Sequence, residues 1–202
     1  MKKLYENIED IKIKGSVDQL SDIVRGMDIS LQNIADNTDL LAGILIKFSA
    51  SNRGTQYEKV VTTAMQLRDE MFDASIVLNE MQNQIVAYQN KVYRYEDMAA
   101  TALTPNPYLV QKRQISVDTS VVQFNRTDML QLAAALRNYS ERVFHHIKTI
   151  NEKKNAAASI WQDTQYTDFA AFVDDITKKV INAIKVYEEY IIHLEEKIKE
   201  LN

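Results

Sequence analysis

The chain of 202 residues has no cysteine, only two prolines and only four glycines. Without cysteine there is no disulfide framework and no thiolate metal site. The absence leaves compartment open, since it suits a cytosolic protein as well as one exported from a cell without oxidative folding. The prolines, Pro105 and Pro107, fall together near the middle, so no helix breaker interrupts the long stretches on either side. No run of about 18 apolar residues is present to span a membrane. The opening Met1-Lys2-Lys3-Leu4-Tyr5-Glu6-Asn7 lacks the apolar segment of a cleaved signal peptide, which argues against a Sec-type precursor. A basic field is missing too. The net charge is -4 and the Lys and Arg residues are interleaved with acids, so neither nucleic acid nor a membrane surface is an expected partner, and without a long apolar run no stable membrane insertion is expected.

What remains is a chain able to bury a core: 46% of its residues are hydrophobic and 26% charged, which favours a folded protein over a disordered one. All-α is the expected class. Ser16-Val17-Asp18-Gln19 reads as a helix start, with the Ser16 hydroxyl and the Gln19 side chain in capping-box positions. From there Leu20, Val24, Met27, Leu31, Ile34, Leu41, Leu45 and Phe48 alternate steps of three and four, with polar Thr38 as the single gap. Such a pattern predicts one narrow seam against a partner helix. Small residues break it at 49–54, where Gly54 can take the left-handed conformation of a tight reversal.

After that turn Tyr57, Val60, Ala64, Leu67, Met71, Ala74, Leu78, Met81, Ile85, Tyr88, Val92, Tyr95 and Ala99 continue the alternation. A stripe this long needs packing along its length, and the preceding helix is its obvious mate. The tripeptide Thr55-Gln56-Tyr57 then recurs as Thr164-Gln165-Tyr166, and the apolar positions on both sides superimpose under the same shift. The chain therefore reads as one helical hairpin written twice.

The second copy begins near Thr127 or Asp128 as cap, carries Leu132, Leu136, Tyr139, Val143, Ile147, Ile150 and Ala157, and turns at Trp161-Gln162-Asp163. Its last helix bears Tyr166, Phe169, Val173, Ile176, Val180, Ala183, Tyr187, Tyr190, Leu194 and Leu201, with a charged end expected to fray. The expected organisation is an N-terminal tail over 1–15, a first hairpin over 16–103, a connector over 104–125 and a second hairpin over 126–202. The connector, with its prolines and its Ile115, Val117, Val121 and Val122, favours extended chain. At about 3.3 Å per extended residue it can run the length of a bundle. The second hairpin can therefore lie antiparallel to the first, with the turns at opposite ends, as in a two-fold dimer whose subunits were fused. The predicted fold is a four-helix bundle of this pseudo-dimeric kind.

Catalytic chemistry has no candidate residues. His145, His146 and His193 are the only imidazoles, and none has ligand partners at the helical spacing a metal site needs; Glu189 and Glu196, which flank His193, are read as a solvated face. There is no Gly-rich phosphate loop and no nucleophile elbow, so no cofactor is expected. The Tyr and Met residues of the stripes are read as core.

Two helices of about 40 residues joined by a Trp-x-Gly turn describe the WXG (ESAT-6-like) proteins of type VII secretion, and this chain resembles two such units in tandem. Trp161-Gln162-Asp163 keeps the Trp and loses the Gly; Asn52-Arg53-Gly54 keeps the Gly and loses the Trp. The resemblance also implies an export signal in which the turn of one unit lies beside a Tyr-x-x-x-Asp/Glu element of the other. Tyr93 and Asp97 fit that element, and antiparallel hairpins would bring it towards Trp161. At the C-terminus the spacing fails, because Leu194 follows Tyr190 and Ile191 follows Tyr187, leaving a single internal signal. The resemblance implies a non-enzymatic protein, made in the cytoplasm and secreted without a cleaved leader, whose partners are a secretion ATPase, a toxin or a cognate helper, and which is a monomeric pseudo-dimer or a homodimer. The other function consistent with the pattern is a structural coiled-coil adaptor, cytosolic or phage-borne. A membrane-active protein would need a more apolar hairpin than any present.

Overall fold

The structure, a computed structural model, describes residues 17–49, 52, 54–95, 125–161 and 164–201; of α2 beyond Met81 only the backbone course is described. Among the described residues there are four helices: α1 (Val17–Phe48), α2 (Thr55–Tyr95), α3 (Arg126–Ala158) and α4 (Thr164–Glu200). The all-α bundle expected from the periodicity is present. Of the proposed tail and connector, only Asn125 is described.

The helix ends follow local chemistry. Gly54 has φ 102°, in the left-handed region, and reverses the chain into α2. At the start of α3 the cap is Asn125, not Thr127 or Asp128: its Oδ1 accepts from Thr127 N at 3.0 Å and from Asp128 N at 3.2 Å. From just outside the helix its side chain satisfies two of the first-turn amides that lack a partner within the helix. The C-terminal turns, expected to fray, are helical to Glu200. Lys197 Nζ stands 2.6 Å from Glu200 Oε2, and Ile198 is buried, while Leu201, expected on the stripe, is exposed.

The repeat is physical as well as sequential. The shift that carries Thr55 onto Thr164 takes Leu20, Val24, Met27, Ile34, Leu41 and Phe48 onto Met129, Ala133, Leu136, Val143, Ile150 and Ala157, and all are buried. In the same way Val60, Ala64, Leu67, Met71, Ala74 and Leu78 fall on Phe169, Val173, Ile176, Val180, Ala183 and Tyr187, again all buried. The hydrogen bonds that close each hairpin also correspond. Asn52 N donates to Phe48 O at 2.9 Å and Trp161 N to Ala157 O at 2.8 Å. Tyr57 Oη donates to Leu45 O across the first turn, as Tyr166 Oη does to Lys154 O, at 3.2 Å, across the second. The shared tripeptide thus ends in a tyrosine that ties each second helix to the carbonyl of the helix before it.

Cross-links between the hairpins set their direction. Lys59 pairs with Glu189 at 3.1 Å and Glu70 with Lys179 at 3.8 Å, so α2 and α4 run antiparallel. Thr38 meets Tyr139, while a Cβ on Gly26 would touch Lys153, so α1 and α3 do the same. The two turns therefore lie at opposite ends. Going round the bundle, α1 packs on α2 and α3, and α4 packs on α3 and over a smaller contact on α2.

Because each helix has two neighbours, the buried stripes are wider than the single seam read from the sequence. A further column with seven-residue spacing is buried on α1 (Ser21, Asp28, Ala35, Ala42), α2 (Val61, Arg68, Ser75) and α4 (Ile184, Ile191, Ile198). A two-helix seam needs two positions per heptad, and packing in a bundle needs three.

Candidate functional site

Trp161 and Asn52 occupy equivalent places at the two turns, and both are buried, Trp161 with 3% of its surface exposed. The indole packs on side chains just after its own turn: its ring centroid is 5.3 Å from Phe169 and 6.1 Å from Tyr166. Its Nε1 finds no hydrogen-bond acceptor. The Trp therefore clamps the turn, joining the end of α3 to the start of α4, and its ring is a core element. Gly54 supplies the positive φ of the other turn. Asp163 and Asp97 lie outside the described residues. Tyr93 lies in the last turns of α2, where the backbone alone is described. The antiparallel register of α2 on α4 runs those turns towards the bundle end that holds Trp161.

The interior carries polar groups that the sequence reading passed over. Thr38, the gap in the first stripe, is fully buried: its Oγ1 lies 2.7 Å from Ile34 O and 2.7 Å from Tyr139 Oη, linking α1 to α3. Tyr139 in turn meets the Tyr187 ring edge-on at 5.4 Å. Burial drives the hydroxyl pKa of both tyrosines upward; for Tyr187 the neighbouring Tyr139 adds to the rise, whereas the hydrogen bond with Thr38 partly offsets it for Tyr139. Tyr57 and Tyr190, with ring centroids 6.2 Å apart between α2 and α4, are raised by burial as well. A hydroxyl held away from water resists becoming an anion.

Between α1 and α2 the polar groups are charged. Asp28 accepts from Gln32 Nε2 at 2.8 Å and from Ser75 Oγ at 3.3 Å. Arg68, only 2% exposed, reaches Asp39 at 3.9 Å and Asp69 at 3.3 Å. Arg68 lies one heptad before Ser75 on α2 and reaches across to Asp39 on α1. The signal for this layer was present in the seven-residue spacing of the third column. An apolar pattern does not mark it, because the column's polar members Asp28, Arg68 and Ser75 fall beside the two-column seam.

The imidazoles do not converge. His193 stacks on Tyr190 with centroids 5.9 Å apart, and Glu189 beside it is engaged by Lys59. His145 and His146 sit side by side on α3, where burial and the neighbouring ring lower the pKa of His146. Among the described residues no three potential ligands gather in a metal-binding group, and no helix is long and apolar enough to cross a membrane. The surface has open grooves, one between α1 and α3 lined by Asn37, Leu40, Ala135, Asn138 and Arg142, another between α2 and α4 lined by Gln66, Glu70, Lys179 and Asn182. No family model matches the chain, and neither the curated proteins nor the solved structures compared with it yield a match.

Proposed function

We propose that the chain is a non-enzymatic substrate or helper of a type VII secretion pathway in a Gram-positive bacterium. As a fused pseudo-dimer it supplies in one polypeptide the bundle that two subunits would otherwise form, and it presents one composite end surface to the secretion ATPase or to a toxin partner. Covalent linkage raises the effective concentration of the second hairpin and makes that surface independent of dimer formation. The observation that carries this reading is the antiparallel arrangement of two like hairpins, which directs the Tyr93 end of α2 towards the Trp161 turn. It is tested by measuring the protein in the culture medium with and without the secretion ATPase, and with Tyr93→Ala and Trp161→Phe. Export that persists without the ATPase, or that neither substitution alters, removes the proposal. A structural coiled-coil adaptor is the second reading, favoured by exposed apolar side chains such as Leu40, Phe144 and Ile192, which suit self-association. A chain that stays monomeric at high concentration argues against it.

A further inference from the structure

The helices do not share one kind of neighbourhood. Both α1 and α3 have two broad interfaces, whereas α2 and α4 each have one broad interface and share the thinner one between them. An outer helix with a single broad contact is the element that can leave at least cost, and the packing narrows the choice to α2 or α4.

The internal repeat then allows these two to be compared position by position. Where α4 buries Phe169, Val173 and Ile184, α2 has Val60, Ala64 and Ser75. Val61 over Ala170, Met71 over Val180 and the half-buried Phe72 over Ile181 run the other way, and Tyr57 is more deeply buried than Tyr166. The polar layer adds to the difference. Beneath α2 lie the buried Arg68 and the Asp28–Ser75 pair; under α4 the equivalent of Arg68 is Thr177, whose hydroxyl accepts from Asn151 at 2.8 Å, and Trp161 clamps the turn. Buried charges held between helices contribute little net stability, since desolvation offsets their attraction. The ion pairs that tether α2 to α4, Lys59 with Glu189 and Glu70 with Lys179, are exposed and weak for that reason.

We propose that α2 undocks from the bundle as a cooperative unit while α1, α3 and α4 remain packed. The bundle is built with one detachable arm, and the arm is the helix that carries Tyr93. This inference rests on packing alone and does not depend on the export reading.

Hydrogen exchange followed by mass spectrometry on the full chain, across sub-denaturing urea concentrations, tests it. Peptides covering Val60 to Leu78 are expected to lose protection together, at rates at least about tenfold above those of α3 and α4. Exchange of α2 and α4 within twofold of each other, or of α4 first, overturns the proposal. A second measurement uses Arg68→Met, which removes the buried cation facing Asp39 Oδ1, an oxygen itself cut off from water. With a buried carboxylate oxygen left facing an apolar chain between α1 and α2, it is expected to speed α2 exchange by at least about tenfold and leave α3 and α4 unchanged. Acceleration in all four helices alike, or unchanged exchange in α2, overturns the proposal as well.

Discussion

Trp161 offers the most direct test of how the second turn is held. Its ring is buried against Phe169 and Tyr166, and truncation to Ala removes a large aromatic side chain at a site where a helix end, a turn and a helix start converge. A buried Trp→Ala change costs about 3–5 kcal/mol, part of it the cavity left behind. For a chain of this length about 2–4 °C is lost per kcal/mol, so the midpoint of thermal unfolding is expected to fall by roughly 10 °C. Trp161→Phe is the informative partner. The indole Nε1 has no acceptor, so its removal forfeits no hydrogen bond, and a phenyl ring keeps most of the contact with Phe169. The expected cost is about 1 kcal/mol or less. Circular dichroism during thermal and urea unfolding measures both variants. An Ala variant within about 1 kcal/mol of the parent would show that the ring is not core. A Phe variant as damaged as Ala would show that the indole N–H is engaged after all. The pair also separates roles in export: loss of secretion in a stably folded Phe variant points to recognition of the indole, and loss in Ala alone points to folding.

Alkaline pH should unfold the protein. Tyr57, Tyr139, Tyr187 and Tyr190 have raised pKa values in the bundle, while in the unfolded chain they ionise near their ordinary value of 10.0. Stability is thus fully present below that pH and lost as pH rises above it, and tyrosinate absorbance should appear in step with loss of helix. Independent ionisation of these four in a still-helical protein would contradict their burial. Gly54→Ala is expected to destabilise by about 1–2 kcal/mol, because a Cβ is disfavoured at positive φ; urea midpoints measure it, and a neutral result would mean the turn can relax. Asn125→Ala should cost about 1 kcal/mol through loss of the α3 cap, and Asn125→Asp should restore it. If Thr127→Ala proves the more damaging change, the cap has been misplaced.

Much of the fold was legible because its determinants are local. Steps of three and four placed the helices, the small residues around Gly54 placed the first turn, and the recurrence of Thr-Gln-Tyr announced a duplication that the burial pattern and the paired Tyr57 and Tyr166 hydrogen bonds bear out. Of the candidate site, the sequence marked the turn residues but not their state. That Trp161 is enclosed by Phe169 and Tyr166 depends on how the chain folds back after the turn, and no spacing rule reports it.

The sequence by itself determined the helices, their turns and the likeness of the two halves, since each follows from the conformational preferences and periodicity of neighbouring residues. Only the tertiary structure decided which faces are covered and by what. Each helix meets two others, so a third column is drawn into the interior; Asp28 and Arg68 lie in that column and are buried between α1 and α2, while Ile184 and Ile191 in the corresponding column of α4 make an apolar contact. Whether a charge on a helix meets water or a neighbour is settled by partners distant in the chain, and a local pattern does not contain them.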